Sequence, residues 1–169
     1  MNTKYEFVEG DTIEVYGVTL HRIRALRDIG DLVKVGDLGG YVESESNLST
    51  MDGSWVLDNA KVYDNAKVYG NAKVCGEAEV SGNAWVYGDS EVCGEAEVFE
   101  DAQVYDNAKV SGAAWVYGYS EVRGNAEVCG TAKMDDGMVF SNIVVSEGPN
   151  IHKDKQEKPL NNNTTSKGN

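Results

Sequence analysis

Gly70-Asn71-Ala72-Lys73-Val74-Cys75-Gly76-Glu77-Ala78-Glu79-Val80-Ser81-Gly82-Asn83-Ala84-Trp85-Val86-Tyr87 is a six-residue unit written three times. In each unit a Gly-Asn or Gly-Glu pair leads into Ala, one variable residue and Val. The period-2 alternation of a β-strand puts Ala and Val on one face and the variable residue on the other. Glycine, and less readily Asn or Asp, accepts positive φ, so each pair bends the chain. A short strand and a corner, repeated without change, must coil. Three strands per turn close a triangular prism, with Ala and Val filling its narrow interior. A helix is excluded, because the apolar residues do not recur at 3.6-residue spacing and Gly would interrupt every second turn.

Working outward, valine keeps the six-residue beat from Val56 to Val128, and Met134 falls on the next beat. The small residue four positions on is Ala, or Ser at Ser90 and Ser120, all the way to Ala132. A two-residue offset separates Leu48 from this series. We therefore divide the chain into an N-terminal β cap (1–41), a solenoid (42–134), possible terminal strands (135–147) and a disordered tail (148–169). The cap is needed because an open solenoid end exposes apolar side chains and unpaired backbone groups. Its alternation predicts strands at Tyr5–Val8, Thr12–Val18 and Leu20–Leu26. Met138-Val139-Phe140 and Ile143-Val144-Val145 are the candidates for final strands. From Gly148 onward Asn, Lys, Thr and Ser replace apolar residues, a composition that predicts disorder.

The unit Val-Tyr-Gly-Asn-Ala-Lys, together with Gly17-Val18-Thr19-Leu20-His21-Arg22-Ile23-Arg24-Ala25-Leu26, Gly36-Asp37-Leu38-Gly39-Gly40-Tyr41-Val42 and Asn47-Leu48-Ser49, resembles the YdcK-like hexapeptide-repeat proteins of enterobacteria and phages. These fall within the left-handed β-helix superfamily that includes bacterial acyltransferases. The resemblance covers residues 17–134 and implies an all-β, left-handed parallel β-helix. It also implies self-association, with a trimer through one flat face favoured, and leaves room for a phage-encoded protein. One departure is that Gly follows Tyr, Cys or Ser after the aliphatic, where many acyltransferases have it directly after.

The 169 residues include 28 acidic against 15 basic ones, a net charge of −13. That charge opposes binding to nucleic acid or an anionic membrane, since phosphate contacts need clustered Lys and Arg. No apolar run is long enough to span a bilayer, and Met1-Asn2-Thr3-Lys4-Tyr5-Glu6 does not open like a signal peptide. The expectation is a cytoplasmic protein. Three cysteines without close pairs in sequence predict free thiols in a reducing compartment.

With three units per turn, residues 18 apart stack, and the sequence becomes a surface map. One outer column reads Leu57, Cys75, Cys93, Ser111 and Cys129, beside Trp55, Lys73, Glu91, Lys109 and Glu127. Thin and flat, it reads as a packing face toward another subunit or the cap. A thiolate metal site would need further convergent Cys or His, so no metal and no cofactor are expected. A second column stacks Tyr69, Tyr87, Tyr105 and Arg123, beside Lys67, Trp85, Gln103 and Glu121. Tyr, Trp and Arg are the residues enriched at interface hot spots, so this is the candidate interface or ligand face. The third stacks Tyr63, Ser81, Phe99 and Tyr117, beside Lys61, Glu79, Glu97, Trp115 and Lys133.

A hexapeptide acyltransferase would be expected to use a His base, and the chain offers only His21 and His152, both outside the repeats. His21 is a weak catalytic candidate. The sequence thus favours a non-catalytic, self-associating solenoid that presents a flat face to a protein partner. The alternatives are a binder of a small anionic ligand and a residual acyltransferase. The binder would hold an acyl-CoA or a nucleotide between subunits, sequestration of a host signalling nucleotide included, with Arg22, Arg24, Arg27 and Arg123 facing its phosphates.

Overall fold

The computed structural model describes residues 2–135 and 137–147. His152 and the tail expected over 148–169 lie outside them. The described residues form 19 strands and no helix. Strand β1 (Tyr5–Val15) pairs antiparallel with β2 (Val18–Ala25), and β2 with β3 (Leu38–Val42). From Trp55–Val56 to Lys133–Met134, a strand of two or three residues then recurs on every unit, each ending on or including the Val or Met of the beat, and Val139–Ser141 and Val144–Val145 follow.

These short strands stack in parallel into the three sides of a prism. The cysteine side has six, from Trp55–Val56 to Val144–Val145. The tyrosine side has five, from Lys67–Val68 to Val139–Ser141. The cap side runs from Lys61–Val62 to Lys133–Met134 and is extended at its N-terminal edge by β3, β2 and β1. Each rung is in register with the next, Val74 on Val92 on Val110 and Val86 on Val104 on Val122. Cys75 N–H donates to Val92 O and Tyr87 N–H to Val104 O, both at 2.9 Å. Inside, the valines from Val56 to Val128 and the alanines on the same six-residue beat from Ala60 to Ala132 are at most 1% exposed. Ser90 is accommodated because its hydroxyl donates to Tyr87 O at 2.8 Å, whereas the Ser120 hydroxyl is buried with no partner.

The corners explain the Gly-or-acid alternation. Gly94 sits at φ +76, and a Cβ there would meet Gly112 O at 2.9 Å and Gly112 N at 3.0 Å in the next coil. At Asp58, Asp64, Glu100 and Asp106 a side chain nevertheless stands at φ between 55 and 60. Each of these carboxylates accepts the corner N–H one coil on: Gly76 at 2.9 Å, Gly82 at 3.1 Å, Gly118 at 2.8 Å and Gly124 at 3.0 Å. A charge-assisted bond to a backbone amide offsets the cost of the left-handed conformation. The second corner residue adds an amide ladder, Asn65 to Asn83 at 3.2 Å and Asn83 to Asp101 at 3.0 Å.

The cap is pinned to the first coil by burial and by one polar cluster. Tyr5 packs edge-on to Trp55, and its hydroxyl donates to Leu48 O at 3.1 Å. Lys4, fully buried, donates to Ser49 O at 2.7 Å and Ser54 Oγ at 3.2 Å, and pairs with Asp52 at 3.4 Å. Burial pulls the Lys4 ammonium down to about 8 against the attraction of Asp52. Burial alone would raise the Asp52 carboxyl, but donors from Ser54, Ser49 and the Gly70 amide outweigh it and hold it at about 2.

The structure differs from the sequence reading at four points. The expected Thr12–Val18 strand is broken, because Tyr16 and Gly17 both take positive φ and close the hairpin between β1 and β2. The cap extends the side of Phe99 and Tyr117, and it meets the cysteine side at the buried Trp55 of that side's first rung. The beat carries on after Met134, with Phe140 in register 18 residues after Val122 and Val145 17 after Val128. Cys75 and Cys93, expected free, are joined as a disulfide, because the coil brings their Cα atoms within 4.5 Å across 18 residues. Cys129 remains free.

Candidate functional site: the tyrosine side

In-register parallel strands hold equivalent side chains one rung apart, so identical planar residues stack. The Tyr69 and Tyr87 rings lie 4.9 Å apart at 2°, and Tyr87 and Tyr105 4.9 Å apart at 3°. Trp85 meets the Tyr69 edge at 6.1 Å and is 42% exposed. Diagonal bonds fix the phenols: Tyr87 OH to Gln103 at 3.3 Å and Tyr105 OH to Glu121 at 2.8 Å. Arg123 Nη1 donates to Tyr105 OH at 3.4 Å and lies 3.8 Å from Glu121, so it caps the stack. Burial, then the neighbouring Tyr69 and Tyr105, push the Tyr87 phenol above its usual range. The face therefore presents neutral, rigid rings at neutral pH.

At the corner beside Trp85 runs a groove of about 370 Å³ lined by Asn83, Trp85, Asp101, Gln103 and Tyr119. The sequence map of the sides missed Tyr119 because it stands in a corner. The signal was its place 18 residues after Asp101 in the Asn65–Asn83–Asp101 column.

Charge is partitioned between corners and sides. From Trp55 to Met134 the corner positions carry eight acidic residues and no Lys or Arg, whereas the sides carry five acidic and six basic ones. The faces are thus nearly neutral in a strongly acidic protein, and two copies can approach side to side without net repulsion across the contact.

The remaining sequence candidates do not converge. Arg22 donates to Gly39 O and Asp58 O, both at 2.9 Å, and to Tyr41 OH at 2.8 Å, over whose ring it lies. Arg24 is bonded to Glu6 at 2.6 Å, and Arg27 is exposed. His21 stacks on Phe7 with centroids 5.1 Å apart. On the cysteine side, Leu57 packs on the core, and Cys93 Sγ lies 3.4 Å from Glu91 Oε1. The third column also stacks, Phe99 on Tyr117 at 5.0 Å, but Lys133 covers Trp115 at 3.6 Å and the cap buries Tyr63 with Leu20 and Tyr41.

Residues 102–118, about one coil, match the family model of the YdcK β-solenoid repeat. The same unit builds every coil from Trp55 to Met134. The chain is a β-solenoid repeat protein of the YdcK type. Among curated proteins none matches it. As a YdcK-type solenoid, the protein keeps its rungs unbroken by inserted loops across the whole tyrosine side.

Proposed function

We propose that this YdcK-type solenoid is a non-catalytic, self-associating protein whose tyrosine side docks on further copies of the chain, as a trimer first. One observation carries the reading: the stacked Tyr69, Tyr87 and Tyr105 rings lie beside an exposed Trp85 on a near-neutral side, with a cation, Arg123, only at the end of the stack. Three half-buried tyrosines beside an exposed tryptophan form the kind of contiguous aromatic patch that marks interaction surfaces. The ligand-binding alternative has less behind it. Arg22, Arg24 and Arg123 are engaged within the chain, which leaves Arg27 to meet a phosphate. Acyl transfer would have to run through His21, which packs against Phe7.

The test is sedimentation of two outward-facing variants. Tyr87→Arg should dissociate the assembly while leaving the coil folded, because a charge repeated across a symmetric contact repels itself. Ser111→Arg, on the cysteine side one rung beyond the disulfide, should leave the assembly intact. Dissociation by Ser111→Arg alone would move the interface to the cysteine side and refute the proposal.

A further inference from the structure

The cysteine side holds one group of metal-ligating side chains among the described residues: Cys75, Glu91 and Cys93. Glu91 opens the strand Glu91–Val92 and Cys93 follows it two residues on, so both lie on the outer face of that rung. Cys75 occupies the same outward position one coil earlier, with its Cα 4.5 Å from that of Cys93. One ligand atom from each of the three can be chosen so that all lie within 4.8 Å of one another, and all three residues are half-buried. The rungs on both sides are fixed by backbone bonds, Cys75 N–H to Val92 O and Cys93 N–H to Val110 O, both 2.9 Å. The positions are therefore held by the coil, and the cation would not have to assemble them.

We infer that the reduced protein binds one thiophilic divalent cation, of the zinc type, through Cys75 Sγ, Cys93 Sγ and a Glu91 carboxylate oxygen, with water in the fourth position. Two thiolates and a carboxylate are a donor set zinc accepts, and three protein ligands leave a tetrahedral site open at one place. The flanking residues on the Glu91 column, Lys73 and Lys109, are basic and partly offset the negative charge that two thiolates and a carboxylate would gather there. In the present structure the site is closed by the Cys75–Cys93 disulfide. Opening it takes two electrons and two protons, supplied by a dithiol that is itself oxidised to a disulfide. Metal binding then releases the two thiol protons to solvent. Disulfide and metal are mutually exclusive, so loading follows the thiol redox state.

The experiment uses the full chain, reduced with excess dithiol, desalted without oxygen and titrated with cobalt(II), then zinc(II). The expected result is a thiolate-to-cobalt charge-transfer band that saturates at one equivalent and is displaced by zinc. Cys75→Ser and Cys93→Ser should each weaken zinc binding by about 10²-fold or more, and Glu91→Gln by roughly tenfold. Ser111 occupies the same column, so serine is compatible with the fold there. Cys129→Ser, two rungs from Cys93, should bind as the wild type does. Protein oxidised with diamide should give no band. Absence of the band in the reduced wild type, or its loss in Cys129→Ser, would overturn the assignment.

Discussion

The corner rule makes a counterintuitive prediction at Gly94: replacement by Asp should harm the protein less than replacement by Ala. Gly94 lies at φ +76, where an L side chain costs about 1–2 kcal/mol. Its Cβ would also meet Gly112 O at 2.9 Å and Gly112 N at 3.0 Å, so the next coil must give by a few tenths of an ångström. Asp58, Asp64, Glu100 and Asp106 stand at equivalent corners, so that adjustment is feasible, at a further cost of about 1 kcal/mol. Gly94→Ala should therefore lose about 2–3 kcal/mol. Gly94→Asp bears the same strain but adds a carboxylate one coil from the Gly112 amide, as Asp58 does for Gly76 at 2.9 Å. A hydrogen bond to a charged group contributes about 1.5–3 kcal/mol, reduced by exposure and by the nearby Glu77 and Glu95. The Asp variant should recover about 1 kcal/mol relative to Ala. Urea denaturation at pH 7, followed by circular dichroism, measures both, and urea leaves the charges unscreened. At pH 3 the Asp advantage should shrink as the carboxylate protonates. An Asp variant as unstable as the Ala variant at pH 7 would refute the idea that corner acids support the coil through the next amide.

Three further outcomes follow from the interior and the cap. Ser120→Ala removes a buried, unpartnered hydroxyl and should stabilise the fold by about 1 kcal/mol in the same denaturation assay. Val86→Asp places a charge at a fully buried inward position and should abolish the cooperative thermal transition. Asp52 is held below its ordinary value of 3.8, at about 2, so its stabilisation is complete above 3.8 and is lost as pH falls through 2. Thermal melts from pH 5 to 2 should show the wild type losing its advantage over Asp52→Asn, by about 2 kcal/mol in all.

The solenoid was legible because a strict period leaves the chain one way to bury Val and Ala, and the stacking columns follow from it by counting. Tyr69, Tyr87, Tyr105 and Arg123 could thus be placed on one face, with Trp85 beside them, from spacing alone. The cap was less legible because its strands lack a repeat. The hairpin turn at Tyr16-Gly17 requires positive φ at a tyrosine, which alternation cannot signal. The final coil hid behind an irregular register, with Phe140 in place of Val and a 17-residue step to Val145. Counting had put Cys75 and Cys93 on neighbouring rungs. What it could not give was how closely the sulfurs approach, or that Glu91, placed in the column beside them, shares their reach.

Self-association is tested most directly by native mass spectrometry of the untreated 169-residue chain. The account predicts a dominant assembly at an integer multiple of the 18.3 kDa chain mass, with the trimer first. A spectrum that holds only the 18.3 kDa monomer across micromolar concentrations would contradict it.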